Sequence, residues 1–441
     1  MEEKISNLIP EKYDTFDQFC EEAYAVEVAE LLTELSFENM KKILIKFDAE
    51  QLGEIISHLD YESSNFIAKI LTIDQLSDIL TNMYPDDAAD FLGTMPVGTV
   101  KKILSNLKEN QAKELQRLLE YDEESAGGIM TTDYIAFYSD HTTDTVLKKL
   151  RQLVDEPEMI YYLYVISRNK ELVGVLSVRQ LLAAPTDEIL ANIMTENVIK
   201  AFVDQDQEEV ARMLSKYDLL AIPIVNKKDQ LMGIITVDDA IDVMEEEATE
   251  DMYKMAVTSD ISEREGVFSA VKKRIPWLFI LLFGDLLSGS VIHSFEAQLQ
   301  SAMALAIFIP VLMDMGGNMG TQSLTVVVRG LATGELDLSS FGKHLWQEIK
   351  AGVIMAFLLG LTLSVAALVW QGNPVLGIVV GTSLFSTLLT AVIAGTSIPF
   401  IINYLGADPA VAAGPFITTL IDISGLFIYF TMATILMENL L

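Results

Sequence analysis

Residues 310–330 read PVLMDMGGNMGTQSLTVVVRG, and the fold of the whole chain turns on how this stretch is understood. It is apolar at both ends and long enough to enter a bilayer. Its middle, however, carries Asp314, Gly316, Gly317, Asn318, Gly320, Thr321 and Gln322. Lipid offers no hydrogen-bond partners, so polar or irregular backbone is tolerated there only where protein buries it or where it lines a wet cavity. The segment therefore predicts a membrane helix with something polar beside it.

Working outward, mostly apolar runs of spanning length occur at about 276–295, 303–327, 350–370, 375–402 and 411–437. Basic residues set their direction. Lys272, Lys273 and Arg274 precede the first run, and Arg329, Lys343 and Lys350 lie between the second and third. The loops after the first and third runs contain none. By the positive-inside rule the N-terminal half faces the cytoplasm and the C-terminus lies outside the cytoplasmic membrane. The first residues, MEEKISNLIPEKYDTF, have neither a basic nor an apolar signal region, which predicts no cleaved signal peptide.

Charge divides the chain at the same point. Of 30 bases and 63 acids, only 6 bases and 9 acids lie from Lys272 onward, leaving a net charge of -30 on residues 1–271. Such a half repels nucleic acid and attracts cations. Cys20 stands alone and the four histidines are far apart, so neither a disulfide framework nor a Cys/His zinc site is indicated. Any bound metal is expected on oxygen ligands.

An internal repeat occupies the middle of the chain. IMTTDYIAFYSDHTTDTVLKKL followed by YYLYVISRNKELVGVLSVRQLL returns as IMTENVIKAFVDQDQEEVARML followed by LLAIPIVNKKDQLMGIITVDDAI. Each unit reads as strand, helix, two short strands around a polar turn, then helix. With Gly174 and Gly233 after the turns, the pair resembles tandem cystathionine-β-synthase (CBS) domains. Before it, apolar positions at helical spacing, as in ENMKKILIKFDAEQLGEIISHL, predict a stack of α-hairpins.

The order of these parts, with PVLMDMGGNMGTQS in the second span and TTLIDISGLFIYF in the last, resembles the MgtE family of magnesium channels. The resemblance implies a multidomain chain: an all-α superhelical domain (1–128), an α/β CBS pair (129–190 and 191–248), a linking helix (249–274) and an all-α domain of five transmembrane helices (275–441). It further implies a homodimer in the lipid bilayer that passes Mg2+ inward and closes when cytoplasmic Mg2+ is abundant. No enzymatic activity is implied.

In the last span Gly414, Thr418, Asp422, Gly425 and Tyr429 recur at spacings of three and four and share one face. A carboxylate there costs on the order of 3 kcal/mol at mid-bilayer, which marks Asp422 as functional. Magnesium keeps several of its waters, so a wide oxygen-lined site suits it. The resemblance places Asp422 at the ion-selecting site. Asn318, Thr418, Gly317 and Thr321 are expected to line the pore beside it. Two structural alternatives stand next to this reading: Asp422 as a hydrogen-bonded neutral acid, and Gly316, Gly317 and Gly320 as residues of close helix packing. Asp285 and Asp314 are further intramembrane acids to which the resemblance assigns no role.

On a helix, Asp239, Asp242, Glu246 and Glu250 form an acidic face, with Val237, Ile241, Met244 and Ala248 as the expected apolar one. Like charges at such spacings cost a few tenths of a kcal/mol per pair, roughly, and invite a divalent cation. The resemblance maps regulatory Mg2+ onto Asp86, Asp90, Asp206, Glu208, Asp218, Asp239, Asp242, Glu247, Glu250 and Asp251. Asp86 and Asp87 also follow Pro85 at a helix start, where acids favour the macrodipole without any metal. GIITVDDA resembles the adenine-nucleotide pattern of CBS domains, with Thr236 near phosphate and Asp239 on ribose, which makes ATP a candidate ligand; Gln180 stands at the matching place in the first unit. The absence of a Walker loop argues against an ATP-driven pump. The rival function is a CBS-containing membrane sensor without transport.

Overall fold

The computed structural model describes residues 16–153, 160–256, 267–301, 303–412 and 414–438. The expected helical structure of residues 1–15 and the middle of the linking segment, 257–266, lie outside the described residues. The chain divides into two compact units, residues 1–244 and 245–441.

The first unit opens with helices α1 (Phe16–Glu22) through α9 (Glu109–Leu118). Each is about ten residues or shorter, too short for a helix to persist alone, so packing must hold them. Alternate helices do this: Ala25–Glu34 packs on Ala49–Ser57, which packs on Ile73–Asn82, which packs on Val97–Asn106. This alternation gives a superhelical stack. Side-chain caps mark several starts, as where Asp48, Asp60 and Thr72 accept backbone N–H groups of Gln51, Ser63 and Gln75.

Two three-stranded sheets follow, β1 (Ala136–Tyr138), β2 (Tyr162–Ile166) and β3 (Leu172–Ser177), then β4 (Ala201–Phe202), β5 (Ala221–Val225) and β6 (Leu231–Thr236). In each, the first pair is parallel and the second antiparallel, with a register shift at the matching place. The repeats interlock. Lys170 and Asp229, at the tips of the two turns, hold positive φ, and their carbonyls accept Leu231 N–H at 3.0 Å and Leu172 N–H at 2.8 Å respectively. The IMT segment opening each repeat packs on the other one. Met130 lies against Gly233, Met194 against Gly174, and no Cβ would fit at either glycine. Helices α10 (Thr143–Leu153), α11 (Val178–Ala183), α12 (Leu190–Ile193) and α13 (Gln207–Lys216) cover the sheets.

Helix α14 (Val237–Met255) leaves the second repeat. Its buried residues are Ala240 and Val243, whereas Ile241 is 58% exposed and Met244 44% exposed. The expected apolar face is thus corrected: the small Ala240 permits close approach to the helical stack, and that contact, not the larger side chains, fixes the rotation of the helix.

Among the described residues the second unit holds five helices long and apolar enough to cross a membrane: Ala270–Ser294, Met303–Ala332 (which opens with a 3-10 turn), Phe341–Gln371, Pro374–Tyr404 and Gly414–Leu436. We label the α-helices α15 (Val267–Ser294), α16 (the short Glu296–Ser301), α17 (Ile309–Ala332), α18 (Phe341–Gln371), α19 (Pro374–Tyr404) and α20 (Gly414–Glu438). Without a hydrophobic drive between helices in lipid, small residues let backbones meet. A Cβ on Gly360 would lie 2.8 Å from the Gly381 carbonyl, and one on Gly381 would lie 2.7 Å from the Gly360 carbonyl. Helices α18 and α19 are locked at that crossing.

Candidate functional site

Helix α20 is held between α17 and α15. A Cβ added to Gly317 of α17 would lie 2.7 Å from the Thr418 methyl, one on Gly316 would lie 2.9 Å from Ile421, and one on Gly320 would also strike Ile421. From the other side Gly284 of α15 meets Thr419. The glycines of the opening stretch sit at close packing contacts in this protomer: Gly317 is buried against Thr418, and Thr321 lies close to Gly414. Their effect is to bring Asp422 into the seam between three helices.

Asp422 is 9% exposed, and its Oδ1 is fully shielded with no hydrogen-bond partner among the described residues. The charges that act on it come from Asp285 and Asp314. Its helix face is otherwise closed: Thr418 donates to the Gly414 carbonyl at 2.8 Å, Gly425 packs on Thr387, and Tyr429 donates to the Leu305 carbonyl at 3.0 Å. The reading of Asp422 as a hydrogen-bonded packing acid is not what the structure shows. Asn318 lies on the exposed side of α17, in line at helical spacing with Asp314, Gln322 and Thr325. A polar stripe on a spanning helix must be covered by protein or water.

The acidic groups of the first unit fall into a cluster and several singles. Asp86 and Asp87, in the first turn of Pro85–Gly93, face Asp238 and Asp239 at the start of α14. Asp86 is 7% exposed, and its Oδ1 lacks a partner while Thr131 hydrogen-bonds to the carboxylate. Burial, then the charges of Asp87 and Asp239, push its carboxyl up to about 7. Burial and the charges of Asp239, Asp90 and Asp238 push Asp87 up to about 7 as well. Burial also raises Asp239, against a hydrogen bond donated by Thr236. The two residues of the nucleotide pattern are thus bonded to each other, Thr236 being buried with its hydroxyl on Asp239.

The structure does not join the remaining acids of this unit to that cluster. Asp206 caps α13 by accepting Glu208 and Glu209 N–H at 3.0 and 3.3 Å, and it lines a cleft of about 850 Å³ with Glu120, Asp122, Glu124 and Asp204. Glu208 pairs with Arg212. Asp218 sits exposed in a left-handed turn, φ 51°. In the second unit Glu250 binds Lys254 at 2.6 Å, and Lys254 binds Asp408 at 2.7 Å. Burial, then Asp408, raise the Asp251 carboxyl, with Glu247 and Glu250 adding to the effect and Lys254 opposing it.

Three participants were missed in the sequence. Asp87 and Asp238 could have been found as the other members of the Asp86–Asp87 and Asp238–Asp239 doublets, of which Asp86 and Asp239 were chosen. Asp408, in the connection between α19 and α20, carries no local signal. Among the described residues no three His, Cys, Asp or Glu side chains converge closely enough to ligate a bare ion.

A multi-pass membrane protein with a buried, unpartnered acid in its last span and an acid-rich CBS unit is thereby defined. Its relatives agree. Residues 309–432 match the family model for a divalent cation transporter, 23–124 the MgtE intracellular N domain, and 126–187 and 190–246 the CBS domain. The chain is 41% identical to the magnesium transporter MgtE of Bacillus subtilis, over 80% of this chain and 79% of that one. It is 40% identical to the magnesium transporter MgtE of Thermus thermophilus, over 74% and 73%. Among solved structures, the cytosolic domain of the Mg2+ channel MgtE in complex with ATP covers 55% of this chain and 100% of its own, at 32% identity and a TM-score of 0.50. The chain belongs to the MgtE family, a class of transporters and not of enzymes.

Proposed function

We propose that the chain conducts Mg2+ into the cell across the cytoplasmic membrane, with its acidic units in the cytoplasm and its C-terminus outside. The carrying observation is Asp422, a carboxylate oxygen buried in a spanning helix with no donor to satisfy it. An acid kept there against its insertion cost is functional by default. Asn318 and Thr321 supply polar groups on the neighbouring helix, while Gly317 and Thr418 set the separation of the two backbones. The stripe through Asp314, Asn318 and Gln322 supports pairing with a second copy, so that the stripe meets a water-filled pore and not lipid.

Cytoplasmic Mg2+ closes this pore by neutralising the Asp86, Asp87, Asp90, Asp238, Asp239 and Asp242 cluster, and acids of α14 (Glu247, Glu250, Asp251) carry the signal toward the membrane unit. Several weak sites suffice, since about 5.5 kcal/mol of differential binding moves a two-state equilibrium from 1:99 to 99:1. Asp206, Glu208 and Asp218 take secondary parts, being engaged in a cap, an ion pair and a turn. ATP at the second repeat requires Thr236 to leave Asp239.

The test is Mg2+ uptake into proteoliposomes holding the full chain, with Mg2+ varied on the cytoplasmic-domain side. Uptake down a gradient that Asp422→Ala abolishes and that added Mg2+ suppresses is the expected result. Correctly folded protein that passes no ion would instead make the chain a CBS-containing sensor.

A further inference from the structure

We propose that Asp285, Asp314 and Asp422 form one three-carboxylate site for a hydrated divalent cation, in which Asp285 and Asp314 set ion affinity alongside Asp422. The inference rests on the pore reading of Asp422. Three helices carry the acids, and the glycine contacts between these helices lie within about a turn of each acid. Thr418 and Thr419, one turn before Asp422, are clasped by Gly317 of α17 and Gly284 of α15. Asp285 follows Gly284 directly, and Asp314 lies one turn from Gly317 and two residues from Gly316, which meets Ile421. Both act on the charge of Asp422.

Nothing described in the protomer compensates these charges. Among the described residues no hydrogen bond or ion pair engages Asp285, Asp314 or Asp422. Three uncompensated acids at membrane depth are costly unless a cation joins them.

A second buried polar group lies on α15, one turn from Asp285. Ser288 is 3% exposed, yet its hydroxyl has no partner. Elsewhere on this helix Ser290 donates to the Leu286 carbonyl at 3.0 Å and Ser294 to the Ser290 carbonyl at 2.9 Å, as helical serines do. Ser288 forgoes this bond. Gly284 and Ser288 are the buried positions in this part of α15, so Ser288 shares the face that Thr419 closes, beside Asp285. A water carried by the ion would satisfy both the hydroxyl and the Asp422 oxygen. Since no three acids among the described residues converge for direct ligation, contact runs through the ion's own waters, which magnesium surrenders reluctantly.

The experiment measures Mg2+ uptake by the full chain in proteoliposomes at varied Mg2+. It compares wild type, Asp285→Asn, Asp314→Asn, their Glu counterparts and Asp422→Asn. A parallel series uses hexaamminecobalt(III), an exchange-inert stand-in for a hydrated cation, as inhibitor. Asp285→Asn and Asp314→Asn should each raise the half-saturating Mg2+ concentration about three- to tenfold, as expected for loss of one nearby charge. Inhibition should weaken in parallel, the Glu variants should recover, and the differences should narrow at high salt. Unchanged half-saturation and inhibition in both Asn variants, with Asp422→Asn inactive, would overturn the three-acid site and leave the pore standing. So would a lower maximal rate with both constants unmoved, which marks a structural role. A wild type that passes no Mg2+ would end both readings.

Discussion

Asp86 and Asp422 are both buried with one carboxylate oxygen lacking any hydrogen-bond partner, but their surroundings differ. Asp86 lies at a helix start, takes a hydrogen bond from Thr131, and faces acids from a helix that joins it only through tertiary contact. Its burial is reversible, because parting those elements returns the acids to water. Asp422 is walled by helices that pack closely at glycines, so its burial does not hang on one contact between two elements. The first arrangement suits a switch and the second a fixed filter. Each stores negative charge, but only one can release it by moving apart.

The largest expected effect tests the filter. Asp422→Asn should lower Mg2+ uptake by about 100-fold or more while leaving the thermal midpoint of the purified protein equal or higher, since an unpaired buried charge is removed. Retained uptake would make the two acids alike. Next comes the wall itself. Gly317→Val puts a Cβ where it would lie 2.7 Å from the Thr418 methyl and should destabilise the membrane unit by about 1–3 kcal/mol, read as a lower midpoint in detergent. An unchanged midpoint would mean the seam is looser than the contacts imply.

The smallest effect sharpens the switch. The carboxyls of Asp86 and Asp87 are raised to about 7, so their protonated forms are favoured by the fold. Their contribution is full below the ordinary carboxylate range, near 4, and is lost as pH rises through about 7. Proteolytic protection of the acidic unit without Mg2+ should therefore fall between about pH 4 and pH 7, with added Mg2+ restoring it at the upper end. In Asp86→Asn with Asp87→Asn the fall should shrink and the Mg2+ requirement with it. A pH-independent protection pattern in wild type would remove the basis for the switch.

The membrane spans, the repeat and the acidic half were legible because each depends on local quantities: run length, self-similarity and charge. Asp422 was legible for the same reason, as a lone acid in an apolar run. The rotation of α14 was not. Ile241 and Met244 formed the more hydrophobic face on paper, but burial follows from what a helix packs against, and Ala240 and Val243 offered the closer fit. For Gly316, Gly317 and Gly320 the sequence left pore lining and close packing both open, and in this protomer they are points where helices touch.

By itself the sequence determined that five apolar segments follow a strongly acidic half, that two CBS units lie within that half, and that an acid sits within the last span. Those are properties of composition and period. Only the tertiary structure decided which acids meet: Asp86 with Asp239, Asp251 with Asp408, and Asp422 with Asp285 and Asp314. The reason is physical. Charge interacts across space and not along the chain, and the separations that govern it are set by close packing between elements far apart in sequence.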